Sequence, residues 1–183
     1  MGRKLKVTEM GRLTVEEFRR AEKMPLVVVL DNVRSMYNVG SVFRTSDAYR
    51  VEHIVLCGIT GRPPHPEIHK TALGAEDAVA WTYCADAHEA VQRLKNDGYT
   101  VFAVEQAEGS IDLSQLQAAQ YKIQGRKLAV VFGNEVKGVQ QSVVDLCDHC
   151  LELPQFGTKH SLNVATTAGI VIWEFFKQTL PHS

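Results

Sequence analysis

Six short runs of unbroken apolar character, separated by stretches with helical periodicity, constrain this chain more than any other feature. They are PLVVVL (25–30), HIVLCG (53–58), AVAWTY (78–83), TVFAVE (100–105), KLAVVFG (127–133) and HCLELP (149–154). A strand with one wet face alternates polar and apolar residues. Continuous Val, Ile and Leu instead mark strands covered on both faces, as in a parallel sheet. The helical patterns between them are TVEEFRRAEK, YNVGSVFRTSDAYR, DAHEAVQRLKNDG, GVQQSVVDLC and the C-terminal SLNVATTAGIVIWEFFKQ. The first opens with Thr14 and Glu17 at capping-box spacing and stops before Pro25. Strand and helix in alternation predict an α/β domain, a mostly parallel sheet flanked by helices. A chain of 183 residues accommodates one such domain over 25–183, preceded by a short basic arm over 1–24 with one helix.

The net charge of -1 argues against wholesale phosphate binding, but the charge is unevenly placed. Residues 1–25 hold seven Lys or Arg against four Glu. A basic arm on a mildly acidic body suits contact with nucleic acid, and equally suits a solvated surface helix. No run approaches the ~18 apolar residues of a membrane span, and MGRKLKVTEM lacks the apolar centre of a signal peptide, so a cytoplasmic protein without membrane attachment is expected. Cys57, Cys84, Cys147 and Cys150 fit a reduced compartment better than a disulfide framework. Cys147 and Cys150 have C-x-x-C spacing, and His65 and His69 lie in PHPEIHK. A second C-x-x-C pair is missing, so no metal is assigned.

Ligands of open α/β sheets bind beyond the carboxyl ends of the strands. Three of those ends carry Gly, Asn and Ser in quantity: DNVRSMYNVGSVFR after the first run, GNEVKG after the fifth and PQFGTKHSLN after the sixth. These residue types permit close backbone approach and hydrogen bonding. Neither G-x-G-x-x-G nor G-x-x-x-x-G-K-[ST] occurs, which leaves dinucleotide and P-loop sites without a motif.

In this order, the three segments resemble the SpoU (TrmH-like) family of RNA ribose 2′-O-methyltransferases, in the SPOUT class. The first motif is Asn32, then Asn38-Val39-Gly40, then Arg44 on the following helix. The second is Gly133-Asn134-Glu135-Val136-Lys137-Gly138. The third runs from Pro154 to Ser161-Leu162-Asn163-Val164. The match extends from about 25 to 178. It departs from the family at VATTAG, where a further Ser is common, and in having only the short arm where larger members carry an RNA-binding extension.

The resemblance implies a deep trefoil knot formed by roughly 127–178, with S-adenosyl-L-methionine (SAM) held by the loops after the fourth, fifth and sixth strands. The cofactor positions it implies are Glu105, Gly133, Asn134, Leu153 and Leu162, recognised through backbone. It implies methyl transfer to a ribose 2′-hydroxyl of tRNA or rRNA, with Arg44, Asn38, Glu135, Ser161 and Asn163 as site residues. Arg44 would grip an RNA phosphate and stabilise developing negative charge, since a guanidinium stays protonated. Asn38 would orient Arg44 or the ribose, and Glu135 would fix Asn or Arg side chains. Ser161 and Asn163 would contact the target nucleotide or fix the loop, with helix capping a competing role for Ser161. An RNA-binding module that keeps the pocket without catalysis is the alternative.

The C-terminal helix is apolar nearly all round. Val164, Ala168, Val171 and Phe175 form one stripe, and Leu162, Ala165, Ile172 and Phe176 another. Such a helix is expected to be buried on two sides, by its own sheet and by a partner subunit. The family resemblance implies the same homodimer through this helix.

Overall fold

The computed structural model describes residues 2–117, 121 and 125–179. Seven parallel strands form one sheet among the described residues: β1 (Met24–Asp31), β2 (Val51–Cys57), β3 (Trp81–Cys84), β4 (Thr100–Val104), β5 (Ile111–Asp112), β6 (Leu128–Phe132) and β7 (His149–Glu152). Their order is β3-β2-β1-β6-β4-β7-β5, and every pairing is parallel. The chain winds outward from β1 to β3 and then crosses to β4 on the other side. β1, β6, β4 and β7 therefore lie side by side in the middle. The three Gly/Asn/Ser-rich loops leave three of these four neighbours at one end of the sheet.

Alternate residues of each strand enter separate cores. Leu26, Val28 and Leu30 of β1 face a layer formed by α1 (Val15–Arg20), α2 (Met36–Ala48), α3 (Pro66–Ala72), α4 (Ala75–Ala78) and α7 (Val164–Thr179). Val27 and Val29 face α5 (Ala87–Asn96) and α6 (Gln141–Val144). This double coverage is what the unbroken apolar runs predict. The predicted capping box of α1 is present in full, with Thr14 accepting from the Glu17 N–H and the Glu17 carboxylate accepting from that of Thr14. Phe18 docks this helix on the main core at 4% exposure.

Several elements depart from the sequence pattern. AVAWTY yields a strand only from Trp81, because α4 occupies Ala75–Ala78. α3 and α4 are too short to show a helical period, although His65 caps α3 and Pro66 sits in its first turn. β5 is two residues long. α7 begins at Val164, three residues later than the pattern suggests. Gly40 has a packing role: a Cβ there would collide with the Ile68 carbonyl and the Thr71 side chain, so this glycine lets α2 and α3 meet.

α7 is buried on one side only. Ala168, Val171, Ile172 and Phe175 have no exposure at all, so three residues of the first stripe and one of the second lie inside the protomer. Val164, Ala165 and Phe176 pack against the core from half-buried positions. Ile170 (41% exposed) and Trp173 (46%) form a face that the two predicted stripes do not contain.

Candidate active site

A cleft of about 490 Å³ opens beyond the carboxyl ends of β4, β6 and β7. That is within the ordinary range of small-molecule sites, ~300–1,000 Å³. Glu105, Gly133, Asn134, Leu153 and Leu162, the five positions expected for the cofactor, all line it, and so do Glu135, Ser161 and Asn163.

The floor is a tight turn after β6. Asn134 and Gly138 exchange backbone hydrogen bonds at 3.0 and 2.9 Å, and the Asn134 side-chain oxygen accepts from the N–H groups of Val136 and Lys137. Its amide donates to the Asn32 carbonyl at 2.7 Å, which ties this turn to the one after β1. Gly138 adopts φ +68°, a left-handed conformation that L side chains rarely take, and a Cβ there would strike the Glu105 carboxylate. That carboxylate accepts from the Val139 and Gln106 N–H groups, both at 2.9 Å. Gly138→Ala is expected to cost about 1–3 kcal/mol of stability and to weaken ligand binding, measured by thermal unfolding and calorimetric titration. An unchanged affinity would mean that the Glu105–Gly138 contact does not shape the cleft.

One wall is the loop between Pro154 and Leu162. A single backbone group of this segment is hydrogen-bonded within the described residues: the His160 carbonyl accepts from Gln106 Nε2 at 3.2 Å. Buried main chain without partners would be costly, so this loop stays at the surface. Its open N–H and C=O groups are available to a ligand.

At the rim, Glu135 joins the turns after β1 and β6. Its carboxylate accepts from the N–H of Arg34 (3.0 Å), the N–H of Ser35 (2.9 Å) and Asn38 Nδ2 (3.1 Å). Burial pushes its pKa up, but these donors outweigh burial and hold the carboxyl below its ordinary value. The Asn38 oxygen accepts from Asn163 Nδ2 at 3.0 Å. The Asn163 oxygen in turn caps α7, accepting from Ala165 (2.9 Å) and Thr166 (3.3 Å). Asn38, Glu135 and Asn163 thus form one chain of hydrogen bonds across three motifs.

This arrangement corrects two expectations. Of the two partners expected for Asn38, Arg44 shares no hydrogen bond with it among the described residues, because the carboxamide is engaged by Glu135 and Asn163. The residue that caps α7 is Asn163, and Ser161 lies on the cleft wall before the helix. Arg44 stands apart from the network. It is exposed on α2, has no hydrogen bond or ion pair among the described residues, and does not line the cleft. No ion pair joins it to Asp47, three residues further on, among the described residues.

Sequence reading missed Gln106, which braces the loop through His160, and Asp31. Asp31 is 1% exposed and accepts from Asn32 Nδ2 (2.7 Å) and Gln140 Nε2 (3.2 Å), joining the turns after β1 and β6 from beneath. Its one available signal was a carboxylate ending an otherwise apolar strand. The C-x-x-C thiols serve locally: Cys147 donates to the Val143 carbonyl and Cys150 to that of Glu105.

Fold and site together define an α/β domain, a parallel sheet with helices on both faces, whose cleft lies beyond the carboxyl ends of its strands. The sequence profile of the SpoU rRNA Methylase family matches residues 25–173, and the chain belongs to that family. It is 31% identical over 173 residues to the tRNA (guanosine(18)-2′-O)-methyltransferase of Thermus thermophilus, covering 94% of this chain and 85% of that protein. Its fold is similar to an A. aeolicus TrmH/SpoU tRNA modifying enzyme at TM-score 0.77 and 23% identity, covering 90% of this chain and 81% of that one. An AdoMet-bound rRNA methyltransferase from Sinorhizobium meliloti aligns at TM-score 0.78 and 26% identity, over 90% of this chain and 61% of that one.

Proposed function

We propose that this protein transfers a methyl group from SAM to a ribose 2′-hydroxyl of tRNA or rRNA. The observation that carries the reading is the convergence of the Gly133–Gly138 turn, Glu105 and the open 154–162 loop on one cleft, with the Asn38–Glu135–Asn163 network at its rim. Family membership and the methyltransferase relatives point the same way. The cleft suits the cofactor. Its size is adequate, its wall presents unpaired main-chain groups to an adenosine and an amino acid, and its lining carries carboxylates and no Arg.

When bound, SAM supplies an electrophilic methyl on a sulfonium, and the protein's contribution is positioning and electrostatics. Glu105, Gly133, Asn134, Leu153 and Leu162 would hold the cofactor, chiefly through backbone. Asn38, fixed by Glu135 and Asn163, presents a rigid amide beside the ribose. Ser161 contacts the target nucleotide from the cleft wall. Arg44 grips a phosphate of the RNA with its exposed guanidinium and stabilises charge developing on the 2′-oxygen.

An Arg without a hydrogen bond or ion pair among the described residues, lying outside its own cleft, supports a site completed by a second copy of the chain. We therefore include homodimerisation through α7 in the reading. The partly exposed Ile170 and Trp173 support it. A trefoil knot over roughly 127–178 also belongs to the reading, supported by the return of β6 and then β7 to interior positions of the sheet. The reaction is placed in the cytoplasm with its RNA substrates.

S-adenosylhomocysteine (SAH) at ~100 times its dissociation constant should add about 2.7 kcal/mol of stability, read as a thermal shift, while NAD should add none. Labelled SAM incubated with total RNA should then yield a 2′-O-methylated nucleoside by mass analysis. Stabilisation by NAD alone would overturn the cofactor assignment. SAH binding without methyl incorporation would favour the binding-module alternative.

A further inference from the structure

We propose that the carboxyl-end surface over β1, β2 and β3 is a docking track for single-stranded RNA, formed by Arg34, Ile59, Arg62 and Tyr83. The proposal deepens the reading above, on which its choice of RNA as the ligand rests. Its residues lie outside the cleft, and only Arg34 falls within one of the three segments, at a position the motif does not specify.

Sheet order places these residues in line. From the cleft over β4 and β6, the next strand is β1, followed by Arg34. Beyond it come β2, followed by Ile59 and Arg62, and then β3, whose penultimate residue is Tyr83. Two strand spacings of ~4.8 Å take this line about 10 Å from β1 to β3, the rise of roughly three stacked nucleotides at ~3.4 Å each. A strand whose target ribose sits at the rim network would pass over this surface.

The chemistry on the surface suits bases rather than bulk phosphate. The Arg62 guanidinium lies 4.2 Å from the Tyr83 ring centroid. Tyr83 is 43% exposed and Ile59 66% exposed, and the Gly58 N–H donates to the Cys84 carbonyl at 3.1 Å, which joins the carboxyl ends of β2 and β3. Flat guanidinium and aromatic faces are the surfaces on which unstacked RNA bases are held. Arg62 and Arg34 are exposed, and neither side chain has a hydrogen bond or ion pair among the described residues. Arg34 is thus free to meet a phosphate beside the bases.

The track is also rigid and tied to the rim network. Thr60 is 3% exposed; its hydroxyl donates to the Leu30 carbonyl and accepts from the Val33 N–H, both at 3.0 Å. The Asn32 side-chain oxygen accepts from the Ile59 N–H at 3.1 Å. The loop carrying Ile59 and Arg62 is therefore fastened to the turn whose Arg34 and Ser35 N–H groups hold Glu135. Such anchoring reduces the ordering cost of binding.

The test is fluorescence anisotropy of a labelled 12-nucleotide oligo(A) RNA with the full chain, its fold checked by thermal unfolding. Tyr83→Ala and Arg62→Ala should each weaken binding roughly 5- to 150-fold, the range of one lost stacking contact. Tyr83→Phe should bind like the wild type, because it keeps the ring. Absence of RNA binding by the wild-type protein, or equal binding by Tyr83→Ala, overturns the track. Methyl incorporation by the wild type, measured in parallel, tests the enzymatic reading separately. An active enzyme whose oligo(A) affinity ignores Tyr83 would lose the track and keep the reaction.

Discussion

Arg44→Ala is expected to lower kcat for methyl transfer roughly 100- to 1,000-fold, the usual cost of removing one preorganised charge-stabilising donor, while SAH affinity stays within about twofold. The expectation rests on where Arg44 is. It shares no hydrogen bond with the Asn38–Glu135–Asn163 network and does not line the cleft, so its removal leaves the cofactor site intact. Nor does it pair with a carboxylate among the described residues, which leaves its donor fork for RNA. Arg44→Lys should recover little, since a point charge cannot reproduce a bidentate grip. Isothermal titration with SAH and single-turnover methylation of RNA separate the two effects. If SAH affinity falls along with kcat, Arg44 serves the cofactor and its proposed role is wrong.

The site was legible in the sequence to the extent that its residues are chemically irreplaceable. Gly138 stands where φ is positive, and Asn134, Asn38 and Asn163 each use both ends of a carboxamide. Such positions leave a mark in residue type. Their partners leave none, because the contacts are far apart along the chain. Glu135 and Arg34 are separated by 101 residues and meet only because β6 lies beside β1. The family resemblance implied that Asn38 would orient Arg44 or the ribose. The folded chain gives Asn38 to Glu135 instead.

The strands were readable from apolar runs because both sheet faces are covered. Neither the order β3-β2-β1-β6-β4-β7-β5 nor the two-residue β5 can be inferred from such runs. α7 shows the same limit from the other direction. A helix apolar on all sides announces two buried faces, but its periodicity does not say which face is turned inward. Val171 and Phe175 turn out to be core residues at 0% exposure. A charge at either position would unfold the protomer and say nothing about assembly.

Trp173 is the position that tests assembly. Its ring lies 5.7 Å from Tyr49 and 5.9 Å from Phe176, and Tyr49 lies 5.1 Å from Phe176. Three packed aromatic rings beside Ile170 make a preformed apolar surface at the edge of the α2–α7 contact, the kind of patch that marks an interface. On the proposed assembly through α7, Trp173→Glu should sediment as a monomer where the wild type sediments as a dimer, and should abolish methyl transfer with only a small loss of thermal stability. Its partial exposure lets the carboxylate remain hydrated. Phe175→Glu should instead collapse the fold, because a carboxylate without a partner in the core costs several kcal/mol. The contrast makes the result interpretable. Monomers that fold normally and cannot methylate would mean that the cleft of one chain needs a second copy, which is what the isolation of Arg44 suggests. Folded monomers with full activity would show that each chain carries a complete site, and Arg44 would then have to reach its own cleft.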